Sequence, residues 1–251
     1  MADFYPSIVP VPLESLPSNE VLLKVMVPLL EESESWPLGK VVTDTKRNVN
    51  VQTFSRKKTP KDAAMWHGRV SDHPKDTVGG FEPFWNGVGV DHTINEKEYI
   101  YEVNRCKPLK LYSDDREIWM VHYALSPPTS HRQFTFLITT HLETNSETGL
   151  RTGYVMSIPV DTSSDPELKQ QEYTATKGAY SAIERVKEMP DESVNWRMIT
   201  TSTPGGWVPQ FLAELSIPGQ IAKDVSHFLA WLEKNPTGMR ADKLVRMGLE
   251  S

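Results

Sequence analysis

The sequence predicts an α+β fold in which an antiparallel sheet wraps around a long carboxy-terminal helix. Six strand-like segments follow one another between residues 99 and 202, separated only by polar, proline or glycine turns. Consecutive strands without helical crossovers are typical of antiparallel sheets. The last strand ends near Gly205 and Gly206, which permit a tight reversal, and an amphipathic helical pattern follows at 216–234.

The elements before these six strands begin with a helix and a hairpin. Residues 17–36 have Ser18 as a candidate N-cap and a crowded apolar run, which predicts a helix interrupted near Pro28. Residues 39–46 and 50–58 are short and rich in β-branched residues, and a polar turn separates them. This pattern predicts a β-hairpin.

Three further segments have recognisable patterns. A third strand is predicted at 63–73, where alternation places His67 and Arg69 on one face and Trp66 on the other. A short aromatic helix is predicted within 79–103. The strand at 117–125 is apolar on both sides, so we expect other elements to cover both of its faces.

The closing helix has one apolar side. At 100° per residue, four residues fall within an arc of about 100° around Ile221, and the charged residues lie opposite; the four are Val225, Phe228, Leu229 and Leu232. Pro218 is expected to bend or divide the helical region near residue 217. An antiparallel sheet around such a helix is a helix-grip arrangement, and its geometry often leaves a hollow.

Composition limits the classes of function. The chain has 251 residues, 38% of them hydrophobic, and a net charge of −6, which argues against a nucleic-acid footprint. The single cysteine, Cys106, excludes an internal disulfide and favours a reducing compartment. No secretory signal or membrane-spanning segment is predicted, so we expect a cytoplasmic protein. The expected organisation is an arm and helix at 1–38, a domain at 39–234 and a tail at 235–251.

Conventional catalytic motifs are missing from the sequence. It has no glycine-rich phosphate loop, no Gly-x-Ser-x-Gly elbow and no His-Glu-x-x-His motif. His122, His131 and His141 are nine and ten residues apart, a spacing that predicts no shared metal geometry. The sequence therefore predicts no cofactor and no metal site, and it leaves any catalytic residues unknown.

Several motifs together resemble the START-like superfamily. The resemblance spans roughly residues 39–234, and more narrowly the chain is similar to a fungal-type family of START-like proteins filed as a domain of unknown function. The matching segments are WHGRVSDH at 66–73, FEPFW at 81–85, KEYIYEV at 97–103, REIWMVHYALSPPTSHRQF at 116–134, SAIERV at 181–186, VNWRMITTSTPGGWVPQFL at 194–212 and PGQIAKDVSHFLAWL at 218–232. Gln133 and Thr203-Pro204 stand where START proteins often carry acids, so a salt bridge at those positions is not expected here.

The resemblance implies a ligand held between a curved sheet and the final helix. START-like proteins bind lipids, sterols, plant hormones or polyketides there. A charged residue on a strand must be paired or must contact a ligand if its side chain points inward. Aromatic residues on the same face can belong both to the core and to the wall of the ligand site. The candidate ligand-binding residues are Trp66, Arg69, Trp119, Tyr123, Arg185, Trp196, Met198 and Phe228.

Three functional hypotheses follow. The first is a carrier or sensor of a hydrophobic or amphipathic small molecule, lipid-like or polyketide-like. The second, implied by cyclases among START-like proteins, is a non-nucleophilic cyclase of secondary metabolism that acts on a polyketide-like substrate in the same cavity. The third is an interaction module that docks a partner through 1–38 or 235–251. Transient membrane contact and the oligomeric state remain open.

Overall fold

The computed structural model describes residues 4–124, 130–240 and 242. Its helices are α1 (Asn19–Glu32), α2 (Lys75–Val78), α3 (Phe81–Val88), α4 (His92–Tyr99), α5 (Pro166–Gln170) and α6 (Gln210–Leu232). Its strands are β1 (Val11–Pro12), β2 (Leu38–Asp44), β3 (Val49–Arg56), β4 (Trp66–His73), β5 (Val103–Ser113), β6 (Arg116–Tyr123), β7 (Arg132–Thr144), β8 (Arg151–Asp161), β9 (Thr176–Lys177), β10 (Ala179–Glu188) and β11 (Val194–Thr203).

The strands form one curved sheet around α6, which confirms the predicted fold class. The strand order along the sheet is β2-β3-β4-β11-β10-β8-β7-β6-β5, and each neighbouring pair on this path is antiparallel. The two-residue strands β1 and β9 pair in parallel with β8 and β7. The predicted hairpin is β2–β3, and the six predicted strands are β5 to β8, β10 and β11.

Each face of the sheet is covered by its own hydrophobic cluster. We call the face beneath α3, α4 and α6 the inner face, and the face beneath α1 the outer face. On β6, Trp119 and Val121 belong to the inner cluster, whereas Ile118 belongs to the outer one and Met120 is fully buried beside it. The prediction that both faces of this strand are covered is confirmed, because successive side chains point to opposite faces.

The first helix closes the outer face. Ser18 caps α1 by accepting a hydrogen bond from the Val21 backbone N–H at 3.3 Å, as the sequence predicts. The expected interruption at Pro28 is wrong, because α1 continues through it to Glu32. Pro28 is exposed, and the buried side of the helix packs on the sheet and holds it in place; the buried residues are Leu22, Met26, Leu29 and Leu30.

The last helix is longer and more regular than expected. Gly205 and Gly206 have φ angles of 64° and 65°, so they form the predicted reversal in the left-handed region that favours glycine. From there α6 runs without division from Gln210 to Leu232, and Pro218 lies inside it. The predicted division near residue 217 is therefore wrong and a bend there stays a prediction, whereas the predicted apolar side is buried against the inner face.

A helix needs about 20 consecutive, mostly apolar residues to cross a bilayer. Within the described part of the chain, no helix combines the length and the apolar character needed to cross a membrane.

Candidate functional site

The second half of α6 packs tightly on aromatic rings of the inner face. Phe228 is fully buried, and its ring centroid lies 4.8 Å from that of Phe84, 5.5 Å from that of Tyr99 and 5.1 Å from that of Trp196. Aromatic rings at these separations and tilts stabilise one another beyond the area they bury. This packing holds the second half of α6 against the inner face, and the Phe228 ring fills the space between that half of the helix and the sheet.

Arg69 lies in the middle of the inner face with part of its bonding capacity unused. Its guanidinium is 3.8 Å from the centroid of the Trp196 ring, and Nη2 donates to Glu184 Oε2 at 3.3 Å. The Trp196 indole donates to the same oxygen at 2.8 Å. Arg69 Nε and Nη1 are buried and have no hydrogen-bond partner among the described residues. Each such donor costs about 1–3 kcal/mol until an acceptor reaches it.

Asp224 faces the sheet from the middle of α6. Its side chain is partly accessible. Burial raises the pKa of Asp224 to about 7, and the negative charges of Glu96 and Glu184 act in the same direction. The positive charge of Arg69 lowers the pKa but does not outweigh these effects. At neutral pH the carboxyl group is therefore divided between its neutral and ionised forms, and it can donate or accept a hydrogen bond.

Two tyrosines continue this surface toward the start of α6. The Phe134 ring lies 5.3 Å from the Tyr123 ring and 5.7 Å from the Tyr180 ring, measured between centroids. Burial raises the pKa of both tyrosines well above the ordinary value, although both retain accessible surface. Met198, on the same face two residues beyond Trp196, is also partly accessible.

A cluster of ionisable groups joins α4 to the sheet. His92 Nδ1 bonds the Val88 carbonyl at 2.6 Å, and His92 Nε2 lies 3.4 Å from Glu96 Oε1. Ligand atoms of His92, Glu96 and Glu184 all lie within 4.8 Å of one another. Burial alone would lower the pKa of His92, but the two carboxylates outweigh it and raise the pKa to about 9.

A pocket of about 730 Å³ opens at the edge of the inner face. It lies between residues 89–94, which comprise the α3–α4 connection and the start of α4, and strands β5 to β7. Trp85, Trp119 and Ile138 form part of its apolar wall, and His92 lies on its wall as well. The volume is in the range of small-molecule sites.

The structure brings six of the eight candidate residues to the inner face. Arg69, Trp196 and Phe228 are in direct contact, Met198 follows on the same strand, and Trp119 and Tyr123 share β6.

The other two, Trp66 and Arg185, lie on the outer face. Trp66 packs in the outer cluster and donates to Asp62 at 2.9 Å, and Arg185 pairs with Glu34 and Asn195. Strand alternation turns both side chains away from α6, so neither can contact a ligand between the inner face and that helix. The prediction that these two residues bind such a ligand is therefore wrong.

Sequence reasoning missed the ionisable groups that lie beside these residues. Asp224 falls at the margin of the apolar arc of α6, where a carboxylate is unexpected, and this is the signal that could have identified it. His92 and Glu96 are four residues apart, which places them on one side of a helix, but α4 itself has too few apolar residues to be recognised.

Comparison with known proteins identifies the type of fold. Residues 66–232 match the family described as "Protein of unknown function (DUF3074)". No curated protein matches the sequence significantly.

Several solved structures have a similar fold. Human STARD10 superposes with a TM-score of 0.65 at 9% identity, covering 94% of this chain and 89% of its own. Human StAR-related lipid transfer protein 5 gives 0.61 at 15% identity, covering 86% and 92%. A STAR-related lipid transfer protein fragment from Xanthomonas axonopodis gives 0.52 at 14%, covering 79% and 98%. At these identities the likeness concerns the START-like fold.

Proposed function

The chain belongs to this family of unknown function and has a START-like fold, and from that premise we propose that it binds a hydrophobic or amphipathic small molecule. The ligand is lipid-like or polyketide-like and lies between the inner face and α6. The lipid-transfer names of the structural neighbours support this class of ligand.

One observation carries the proposal. Tyr123 and Tyr180 pack against the inner cluster and Asp224 lies on α6, and each of the three retains accessible surface. This accessible surface beneath α6 supports the proposal that the three side chains border the ligand space. Phe134 and Met198, which are also partly accessible, would add apolar wall to the proposed space.

The free energy of burial is sufficient for such a ligand. Removal of about 400 Å² of apolar ligand surface from water contributes on the order of 10 kcal/mol at about 25 cal/mol per Å². Association and ordering oppose roughly half of this amount. The remainder corresponds to micromolar or tighter binding without any charged contact.

Arg69 is proposed to orient the polar end of the ligand. Its Nε and Nη1 donors are buried and unpaired among the described residues, so an acceptor oxygen of the ligand would remove their desolvation cost. A carboxylate would add negative charge beside Glu184 and Asp224. A neutral carbonyl or hydroxyl oxygen therefore fits this position better than an acid.

Native mass spectrometry tests the ligand directly. The full chain, purified gently from its expression host, is expected to carry a non-covalently bound ligand. The ligand adds mass in the native spectrum and is absent from the spectrum of the denatured protein. Met198→Trp fills the proposed space and is expected to lower adduct occupancy at least tenfold. Lys187→Trp, an exposed change on the outer side of β10, is the matched control and leaves occupancy unchanged.

Two results would contradict the proposal. One is a wild-type chain that stays empty and shows no thermal shift across phospholipids, sterols, fatty acids and aromatic polyketides. The other is equal ligand occupancy in the wild type and in a folded Met198→Trp variant.

We further propose that the start of α6 makes transient contact with a membrane. Trp207, Phe211 and Leu215 are 69%, 63% and 77% exposed, although they are large and apolar. Glu214 accepts a hydrogen bond from the Met65 backbone N–H at 3.0 Å, which holds the loop after β3 against this part of α6. The loop contributes three exposed cations, Lys57, Lys58 and Lys61. Apolar and aromatic groups beside lysines are typical of surfaces that bind anionic lipids.

Vesicle sedimentation tests this contact. Binding to vesicles that contain phosphatidylserine is expected to exceed binding to neutral phosphatidylcholine vesicles and to weaken with salt. Leu215→Glu is expected to reduce it about tenfold, and Leu142→Glu, an exposed change on β7, is the matched control. Equal binding by the two variants would refute the assignment of the surface without affecting the ligand site.

A further inference from the structure

We propose that His92, Glu96 and Glu184 form a binding site for a divalent transition-metal ion, with zinc the ion that suits the donor set. Ligand atoms of the three residues lie within 4.8 Å of one another. His92 and Glu184 are buried, and Glu96 is partly buried. An imidazole nitrogen with two carboxylate oxygens is a combination that zinc accepts.

The distances are close to those of an occupied site. Ligands held about 2.1 Å from a tetrahedral zinc are about 3.4 Å from one another. His92 Nε2 and Glu96 Oε1 are 3.4 Å apart, because the two residues are one helical turn apart on α4. The Glu184 carboxylate comes from β10, and its distances to the other two ligand atoms, at most 4.8 Å, need to shorten toward about 3.4 Å to complete the set.

Supporting hydrogen bonds already orient two of the ligands. The Val88 carbonyl engages His92 Nδ1, which fixes the ring and directs Nε2 toward the carboxylates. Arg69 and Trp196 both donate to Glu184 Oε2, which orients that carboxylate and leaves Oε1 for an ion. Such outer contacts are a regular feature of built metal sites.

The local charge also calls for a cation. Three carboxylates, those of Glu96, Glu184 and Asp224, act on one another in the interior. Arg69 supplies one positive charge to this group, and His92, whose pKa is raised to about 9, supplies a second when it is protonated. Charges removed from water need compensation, and a bound dication that displaces the His92 proton would supply it with one more unit of charge.

An ion can reach the site from solvent. His92 lies on the wall of the pocket of about 730 Å³, which opens between residues 89–94 and the sheet. A set of three protein ligands leaves a fourth coordination position for water or for a group of a bound molecule.

Metal binding by the full chain tests the proposal. After treatment with a chelator, the protein is titrated with zinc chloride by calorimetry, and one equivalent is expected to bind and to raise Tm. Cobalt chloride is expected to give the visible absorption of a low-coordinate site. His92→Gln and Glu96→Gln are each expected to weaken zinc binding at least tenfold.

A second histidine–glutamate pair provides the control. His141 Nε2 lies 3.7 Å from Glu143 Oε2 at the surface, with side chains 40% and 55% exposed. His141→Gln is expected to leave zinc binding unchanged. Failure of the wild type to bind zinc or cobalt would overturn the proposal, as would unchanged affinity in folded His92→Gln or Glu96→Gln. If His92→Gln does not fold, Glu96→Gln and the wild-type cobalt spectrum decide.

Discussion

The positive charge of Arg69 acts to lower the pKa of His73 and of Asp224, but the two groups end with opposite shifts. In His73, burial disfavours the protonated ring and the Arg69 charge adds to this effect, so the pKa falls to about 3. In Asp224, burial outweighs the same charge, and the pKa rises to about 7. At neutral pH the first group is therefore neutral and the second is close to its midpoint.

The neutral state of His73 makes the protein sensitive to acid. In the unfolded chain a histidine titrates near pH 6.5, whereas folded His73 titrates near pH 3, so the unfolded state binds more protons between these values. The contribution to stability is complete above about pH 6.5 and is lost as the pH falls toward 3. Between pH 6.5 and pH 5 the loss from this group is roughly 2 kcal/mol.

Substitution of His73 isolates this contribution. In the fold His73 is hydrogen-bonded to Ser71 Oγ at 2.8 Å and packs on Phe84 and Trp196. The difference in unfolding free energy between wild type and His73→Gln is expected to shrink by roughly 2 kcal/mol from pH 6.5 to pH 5, as measured by urea denaturation. His141→Gln is the exposed control. A difference that stays constant with pH would show that His73 does not remain neutral.

In helices α1 and α6, tertiary packing outweighs the local tendency of proline to end a helix. Pro28 and Pro218 each indicate a helix break, and yet α1 and α6 run through them. An internal proline removes a backbone hydrogen bond and crowds the preceding turn at a cost of about 3 kcal/mol. The burial of Met26 and Leu30 on the outer face, and of Phe228 on the inner face, exceeds that cost.

Pro28→Ala is therefore expected to stabilise the protein. The alanine restores a hydrogen bond to the Lys24 carbonyl, and since Pro28 is exposed no packing is lost. The gain is about 2 kcal/mol, because the freer unfolded chain offsets about 1 kcal/mol of the local cost. Thermal and urea unfolding measure it, with exposed Lys24→Ala as the control. An unchanged or lowered Tm would mean that the proline is not strained in α1.

The elements that sequence reasoning predicted are those with strong local signals. Three of them contain residue types that strongly prefer the conformation observed. These are the β2–β3 hairpin, the Ser18 cap and the glycine reversal. By contrast, α4 is polar along most of its length, and its helical state depends on the packing of Tyr99 beneath α6.

The same reasoning explains which site residues were predictable. Arg69 and Trp66 are three apart on β4, so alternation alone places them on opposite faces, and only one of them can face α6. Residue type did not reveal which one. The contact between Glu184 and His92 joins a strand to a helix about ninety residues away, and only the folded chain shows it.

At the scale of the whole molecule, α1 closes the side of the sheet that faces away from the proposed ligand. The division of the chain at residue 38 stays a prediction, but Met26 and Leu30 are fully buried on the outer face beside Ile118 and Met156. The four buried side chains of α1 contribute on the order of 6–12 kcal/mol, which is comparable to the whole stability of a typical domain. This packing makes α1 part of the folded body.

A chain that begins at residue 39 is therefore expected to lose its cooperative unfolding transition, because the outer face would be exposed to water. Calorimetry of 39–251 beside the full chain measures this loss. Met26→Ala, a milder change, is expected to cost about 2–5 kcal/mol, and exposed Lys24→Ala is its matched control. If 39–251 unfolded cooperatively at the Tm of the full chain, α1 would be a detachable arm, and the sheet would need no cover on its outer face.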